Sequence, residues 1–100
     1  MMLNITKAQD GKELKLSLEG RLDTTTAPQL ETEVKESLNG IETLVFDLEK
    51  LAYISSAGLR VLLSAQKIMN KQGSMVVRNS SEEVNEIFEV TGFSDILTIE

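Results

Sequence analysis

Two adjacent serines, Ser55 and Ser56, followed by the small residues Ala57 and Gly58, lie where a buried strand leads through a short turn directly into an apolar helical pattern. That spacing puts a hydroxyl at a helix N-terminus, where the first backbone N–H groups lack intrahelical partners and the helix dipole favours negative charge. Two roles fit the position. Ser55 or Ser56 can act as an N-cap, its oxygen accepting a backbone N–H and contributing about 1 kcal/mol. One hydroxyl can instead stay exposed as an acceptor for phosphorylation, since a phosphate dianion is favoured there. The two roles are compatible. A serine nucleophile would need a nearby base, and with no histidine in the chain the remaining candidates are Lys67 and Lys71, which read as solvated residues on a helix surface.

Composition narrows the field further. One hundred residues make one ordinary domain, 1–100, and 41% hydrophobic with 26% charged residues suits a soluble globular fold. Cysteine is absent as well as histidine, which removes disulfides, thiolate metal sites and the commonest general base, so neither an enzyme nor a cofactor or metal is expected. Apolar runs are only a few residues long and the N-terminus lacks a signal-peptide pattern, so a cytoplasmic protein without direct membrane binding is expected. Sixteen acidic against ten basic residues give a net charge of −6, which opposes contact with nucleic acid and points to protein partners.

The elements that must position the serines can be read from periodicity. Leu14, Leu16 and Leu18 alternate with Lys15 and Ser17, as in a half-buried strand. Leu3 and Ile5 suggest a shorter strand before it, with Asp10-Gly11 supplying the hairpin turn. Thr26-Ala27-Pro28-Gln29 has the pattern of a capping box, and Leu30, Val34 and Leu38 continue an amphipathic helix to a stop at Asn39-Gly40. Leu44, Val45, Phe46 and Leu48 are nearly continuous, which predicts a central strand covered on both faces. A long helix from Ala57 to about Gln72 should end at Gly73. Met75, Val76 and Val77 form a short strand, Ser80-Ser81-Glu82-Glu83 has the pattern of a second capping box and opens a third helix stopped at Gly92, and Ile96, Leu97 and Ile99 suggest a last strand. The order β-β-α-β-α-β-α-β predicts a single α/β domain, a mixed sheet with right-handed crossover helices. Asp47, near the end of its strand, could carry receiver-type aspartyl phosphorylation, but the acidic pair such a site needs near the end of the first strand is missing.

Asp47-Leu48 followed by Tyr53-Ile54-Ser55-Ser56-Ala57-Gly58-Leu59 resembles the signature of STAS domains, the family of bacterial anti-sigma factor antagonists, and Gly20-Arg21-Leu22-Asp23 resembles that family's glycine-x-leucine-aspartate. The resemblance covers nearly the whole chain. It implies an anti-sigma factor antagonist whose unphosphorylated form binds an anti-sigma factor with serine kinase activity and so frees a sigma factor. The switch would be reset by a serine phosphatase. Aligned on Gly58 and Leu59, Ser56 falls on the modified position, with Ser55 as the competing acceptor standing where many switching members carry aspartate. Asp23, Ser55, Ser56, Ala57 and Gly58 would then form the partner surface. For Asp23 the residues alone also allow a local turn, its carboxylate bonding the N–H groups of Thr25 or Thr26. Gly58 alone also allows a purely steric role. The alternative within the resemblance is a non-switching STAS adaptor in a signalling assembly or transport system.

The charge balance makes one outcome checkable without a partner. RNA or DNA titrated into the protein near physiological salt should leave it unbound in a gel-shift assay, and a micromolar, salt-dependent shift would contradict the argument from net charge.

Overall fold

A computed structural model describes residues 3–100. Strands β1 (Leu3–Asp10) and β2 (Glu13–Leu22) form an antiparallel hairpin in which Asp10 pairs with Glu13. The turn is therefore Gly11-Lys12, one residue later than the expected Asp10-Gly11, and of these residues only Gly11 takes a positive φ, 61°. Helix α1 (Ala27–Ser37), strand β3 (Thr43–Ile54), helix α2 (Ser56–Gln72), strand β4 (Ser74–Arg78) and helix α3 (Glu82–Thr91) follow. The sheet order is β1-β2-β3-β4, with β2, β3 and β4 parallel. No helix among the described residues is long and apolar enough to cross a membrane.

The last expected strand is reduced to one bridge, Val77 beside Ile99. Phe93–Asp95 forms a single 3₁₀ turn, and the carbonyl of Phe93 takes the N–H groups of both Ile96 and Leu97. Those two donors are no longer available to a ladder. What remains is the bond from Val77 N–H to Thr98 O and that from Glu100 N–H to Val77 O, each 2.8 Å.

Because each parallel strand is added on the same side of its predecessor, right-handed crossovers put α1, α2 and α3 on one face of the sheet. One core results. Leu14, Leu16 and Leu18 of β2, Leu44, Phe46 and Leu48 of β3, and Met75 and Val77 of β4 join it from the sheet, while Leu30, Val34, Leu62, Met69, Val84 and Phe88 join it from the helices. The opposite face stays wet, which corrects the expectation of a central strand covered on both faces. Val45 points there; it is buried but lies outside the core, flanked in register by Lys15 and Val76. Next along β3 on that face, Asp47 pairs with Lys15 at 3.4 Å.

The starts of α1 and α3 both differ from the capping boxes of the sequence. Thr26 makes no capping bond: its hydroxyl donates to Arg21 O at 2.8 Å, and Gln29 reaches Leu3 O on β1 instead of closing a box. The cap of α3 is Ser81, one residue later than the box, accepting from Val84 N–H at 3.2 Å, while Ser80 is bonded to Asn85; Gly92 ends that helix in the left-handed conformation. At the end of α2 the Gln72 amide donates to Leu38 O and Ile41 O, both at 2.6 Å, and Ser74 N–H bonds to Glu42 O at 2.9 Å.

Gly73 marks the tightest point of that junction, since a Cβ there would sit 1.8 Å from the Glu42 carbonyl oxygen. Gly73→Ala should therefore destabilise the protein by about 3 kcal/mol, the upper end for overpacking, because backbone and not a flexible side chain must yield. Gly40→Ala has open space around it but a φ of 81°, and should cost about 1 kcal/mol. Urea denaturation of both variants checks the order.

Candidate functional site

The parallel strands β2 and β3 end side by side, and their carboxyl ends are where loops of an α/β sheet collect functional groups. Arg21 pairs with Tyr53 and Leu22 with Ile54, and the chain then turns directly into α2, with Ser55 N–H donating to Leu22 O at 2.9 Å. This bond sets the first turn of α2 on the end of β2. Gly58 makes that contact possible: an added Cβ would lie 2.6 Å from Leu22 Cγ and 2.9 Å from Ile54 Cγ1. It is buried, so its contribution to this surface is the close approach of helix to strands.

The two serines divide their roles. Ser55 is the N-cap, with extended backbone and its hydroxyl oxygen accepting from Gly58 N–H at 3.4 Å. Ser56 is the first residue of the helix and exposed, and its hydroxyl has no hydrogen-bond partner among the described residues. The backbone N–H groups of Ser56 and Ala57 belong to the first turn and have no intrahelical partner. A hydroxyl in solvent over free N–H donors can accept a phosphoryl group without breaking an existing contact. The lysines that could have served as a base, Lys67 and Lys71, are exposed farther along α2, and no hydrogen bond joins either to a serine among the described residues.

Asp23 lies in the loop that leaves β2. Its Oδ1 accepts from Thr25 N–H at 2.9 Å, from the Thr25 hydroxyl at 2.7 Å and from Thr26 N–H at 3.2 Å, which is the local turn that the residues alone allowed. The Thr25 hydroxyl bond, above all, holds this carboxyl below its ordinary pKa. Oδ2 faces Arg21 Nε at 3.7 Å. The same guanidinium lies 4.3 Å from the centre of the Tyr53 ring, a cation–π distance. The Arg21–Tyr53 stack was missed in the sequence, although both residues immediately precede the last buried residue of their strand and so share one face.

Between α1 and α2 the surface forms a shallow groove of about 190 Å³ lined by Thr24, Pro28 and Glu31 on one side and Ala57, Arg60 and Ser64 on the other. Thr24 follows Asp23 and Ala57 follows Ser56, so the two motifs meet at this groove. Asp47 stands apart from it, bonded by Glu49 N–H at 3.1 Å and by the Asn79 amide at 3.2 Å. Partial desolvation pushes its pKa up, but those bonds and Lys15 outweigh it and hold the carboxyl below its ordinary value. It is a structural carboxylate with its lone pairs engaged. No group of three or more metal-ligating side chains occurs among the described residues.

The sequence profile described as STAS domain matches residues 4–100. The BtrV protein of Bordetella bronchiseptica is 40% identical over 84 residues, covering 82% of this chain and 72% of that protein. The anti-sigma-B factor antagonist of Bacillus subtilis is 29% identical over 100 residues, 99% of this chain and 92% of that protein. Among solved structures, the Bacillus cell fate determinant SpoIIAA in its phosphorylated form superposes with a TM-score of 0.76 at 16% identity, over 97% of this chain and 91% of that one, which establishes the shared fold.

The division between the serines predicts unequal costs. Ser55→Ala should lower stability by about 1 kcal/mol through the lost cap, whereas Ser56→Ala should stay within about 0.5 kcal/mol of the parent, as for an exposed residue without partners. Chemical denaturation of the two variants side by side tests this, and equal losses would reassign the cap.

Proposed function

The chain belongs to the STAS-domain family, and from that premise we propose that it is an anti-sigma factor antagonist: its unphosphorylated form binds an anti-sigma factor with serine kinase activity and frees a sigma factor, and phosphorylation of Ser56 switches it off. The observation that carries the reading is the exposed, unpartnered Ser56 hydroxyl beside a Ser55 already committed to capping. The name of the Bacillus subtilis relative supports the binding role. A regulator of this kind acts by association, and the chain needs no cofactor of its own because the nucleotide belongs to the kinase.

The switch follows from charge. Phosphoryl transfer forms a bond from Ser56 Oγ to phosphorus, breaks the bond to the nucleoside diphosphate leaving group and releases the hydroxyl proton. The product carries about −1.5 to −2 charge at neutral pH. Asp23, Ser55, Ser56 and Ala57 form the rim that the partner would cover, with Gly58 beneath it, and the new charge would be desolvated in that contact or set against acidic groups across it. A serine phosphatase restores the hydroxyl. The setting in which this operates is the cytoplasm, where sigma factors act.

The test is binding to the anti-sigma kinase of the same genome. Ser56→Asp should weaken the complex by on the order of tenfold or more, about 1.4 kcal/mol, while keeping the fold, because an acidic residue is favoured in the first helical turn. Ser56→Ala should bind as the parent does and take up no phosphate. Phosphopeptide mapping after incubation with kinase and ATP gives the direct answer: phosphate on Ser55 would move the switch by one residue, and phosphate on neither serine would favour a non-switching adaptor.

A further inference from the structure

Ser56 and Arg60 are both exposed and stand four residues apart in α2, so their side chains lie one turn apart on the same helix face. Arg60 takes part in no salt bridge among the described residues. It lines the groove between α1 and α2, and the carboxylate that faces it there, Glu31, is already held by Lys35 at 2.9 Å. The nearby charges of the β2 rim, Arg21 and Asp23, are engaged with each other at 3.7 Å, and Arg21 also with the Tyr53 ring. Arg60 is thus the one guanidinium at this rim whose charge has no fixed partner.

We infer that Arg60 is the counter-ion that phosphorylated Ser56 finds within its own chain. The order is the favourable one, with the anion N-terminal to the cation at i, i+4, and the phosphate on the first residue of α2 also interacts well with the helix dipole. The guanidinium presents paired N–H donors that match phosphate oxygens. The pair holds the phosphate over the first turn of α2, at the mouth of the groove, so the off state carries an ordered ionic group in place of a freely rotating one. This rests on Ser56 being the acceptor.

The experiment uses the full chain with phosphoserine installed at position 56 by semisynthesis, so that no kinase is involved. Phosphorus NMR titration at low salt should find the second pKa of the phosphate below the usual value of about 6. Arg60→Gln should raise it by about 0.3 of a pH unit, the size expected for an i, i+4 ion pair, and Arg60→Lys should keep most of the effect. Salt at 1 M should erase the difference between parent and Arg60→Gln. Circular dichroism of the unphosphorylated Arg60→Gln variant should match the parent, since the residue is exposed. An unchanged titration in Arg60→Gln overturns the pairing, as does an equal change produced by Arg21→Gln. A kinase that never modifies Ser56 would instead sink the acceptor assignment, and the two failures are read in separate experiments.

Discussion

The close seating of α2 on the ends of β2 and β3 is the contact on which the rest of the rim depends. With Gly58 against Leu22 and Ile54, and Ser55 N–H bonded to Leu22 O, the helix has one place to begin. Ser55 is then the residue whose backbone is still extended and whose hydroxyl reaches Gly58 N–H, and Ser56 is the residue that turns outward. Two chemically identical hydroxyls receive different roles from the steric fit at Gly58. A side chain at position 58 would lift the helix from the strands and disturb the cap before it touched either hydroxyl.

The loop after β2 is organised by a different kind of force. Asp23 binds its own Thr25 and Thr26, its backbone carbonyl takes Ala27 N–H at 2.8 Å, and the Thr26 hydroxyl takes Asp23 N–H at 2.9 Å, so the two residues hold the entrance to α1 together. A half-buried carboxylate with several donors on one oxygen keeps its charge and its position. Arg21 extends that order to Tyr53 on the wet face of the sheet. Packing therefore places the helix, and short polar contacts place the loop beside it.

Much of this was legible from residue patterns. The alternation of Leu14, Leu16 and Leu18, the long apolar face of α2 and the stop of α3 at Gly92 are local signals that tertiary structure had no reason to override, and the serine segment fell at the helix start expected for it. Features decided by distant partners were not legible. Thr26 and Gln29 read as a capping box, but Arg21 O and Leu3 O offered better-placed partners. Val45 read as a residue between two helical layers, and the winding direction of the crossovers, invisible in a run of apolar residues, left it under the stems of its sheet neighbours. The last apolar triplet follows a 3₁₀ turn and is reduced to a bridge at Ile99 because Phe93 O takes the N–H groups of Ile96 and Leu97. Which serine caps was open for the same reason: the Gly58 contact is a long-range fit.

The sheet also tapers. Beside Thr43–Asp47 all four strands are paired; beyond Asp47 β4 is gone, and among the described residues the last pairs, Arg21 with Tyr53 and Leu22 with Ile54, join β2 to β3. Two register shifts in β2 and β3, between Ser17 and Glu19 and between Gly20 and Arg21, fall in this narrowing half. Narrow ribbons and bulges both increase twist. The end of the sheet that carries the serines is accordingly more strongly twisted than its base, so the rim is turned out of the plane set by Thr43–Asp47.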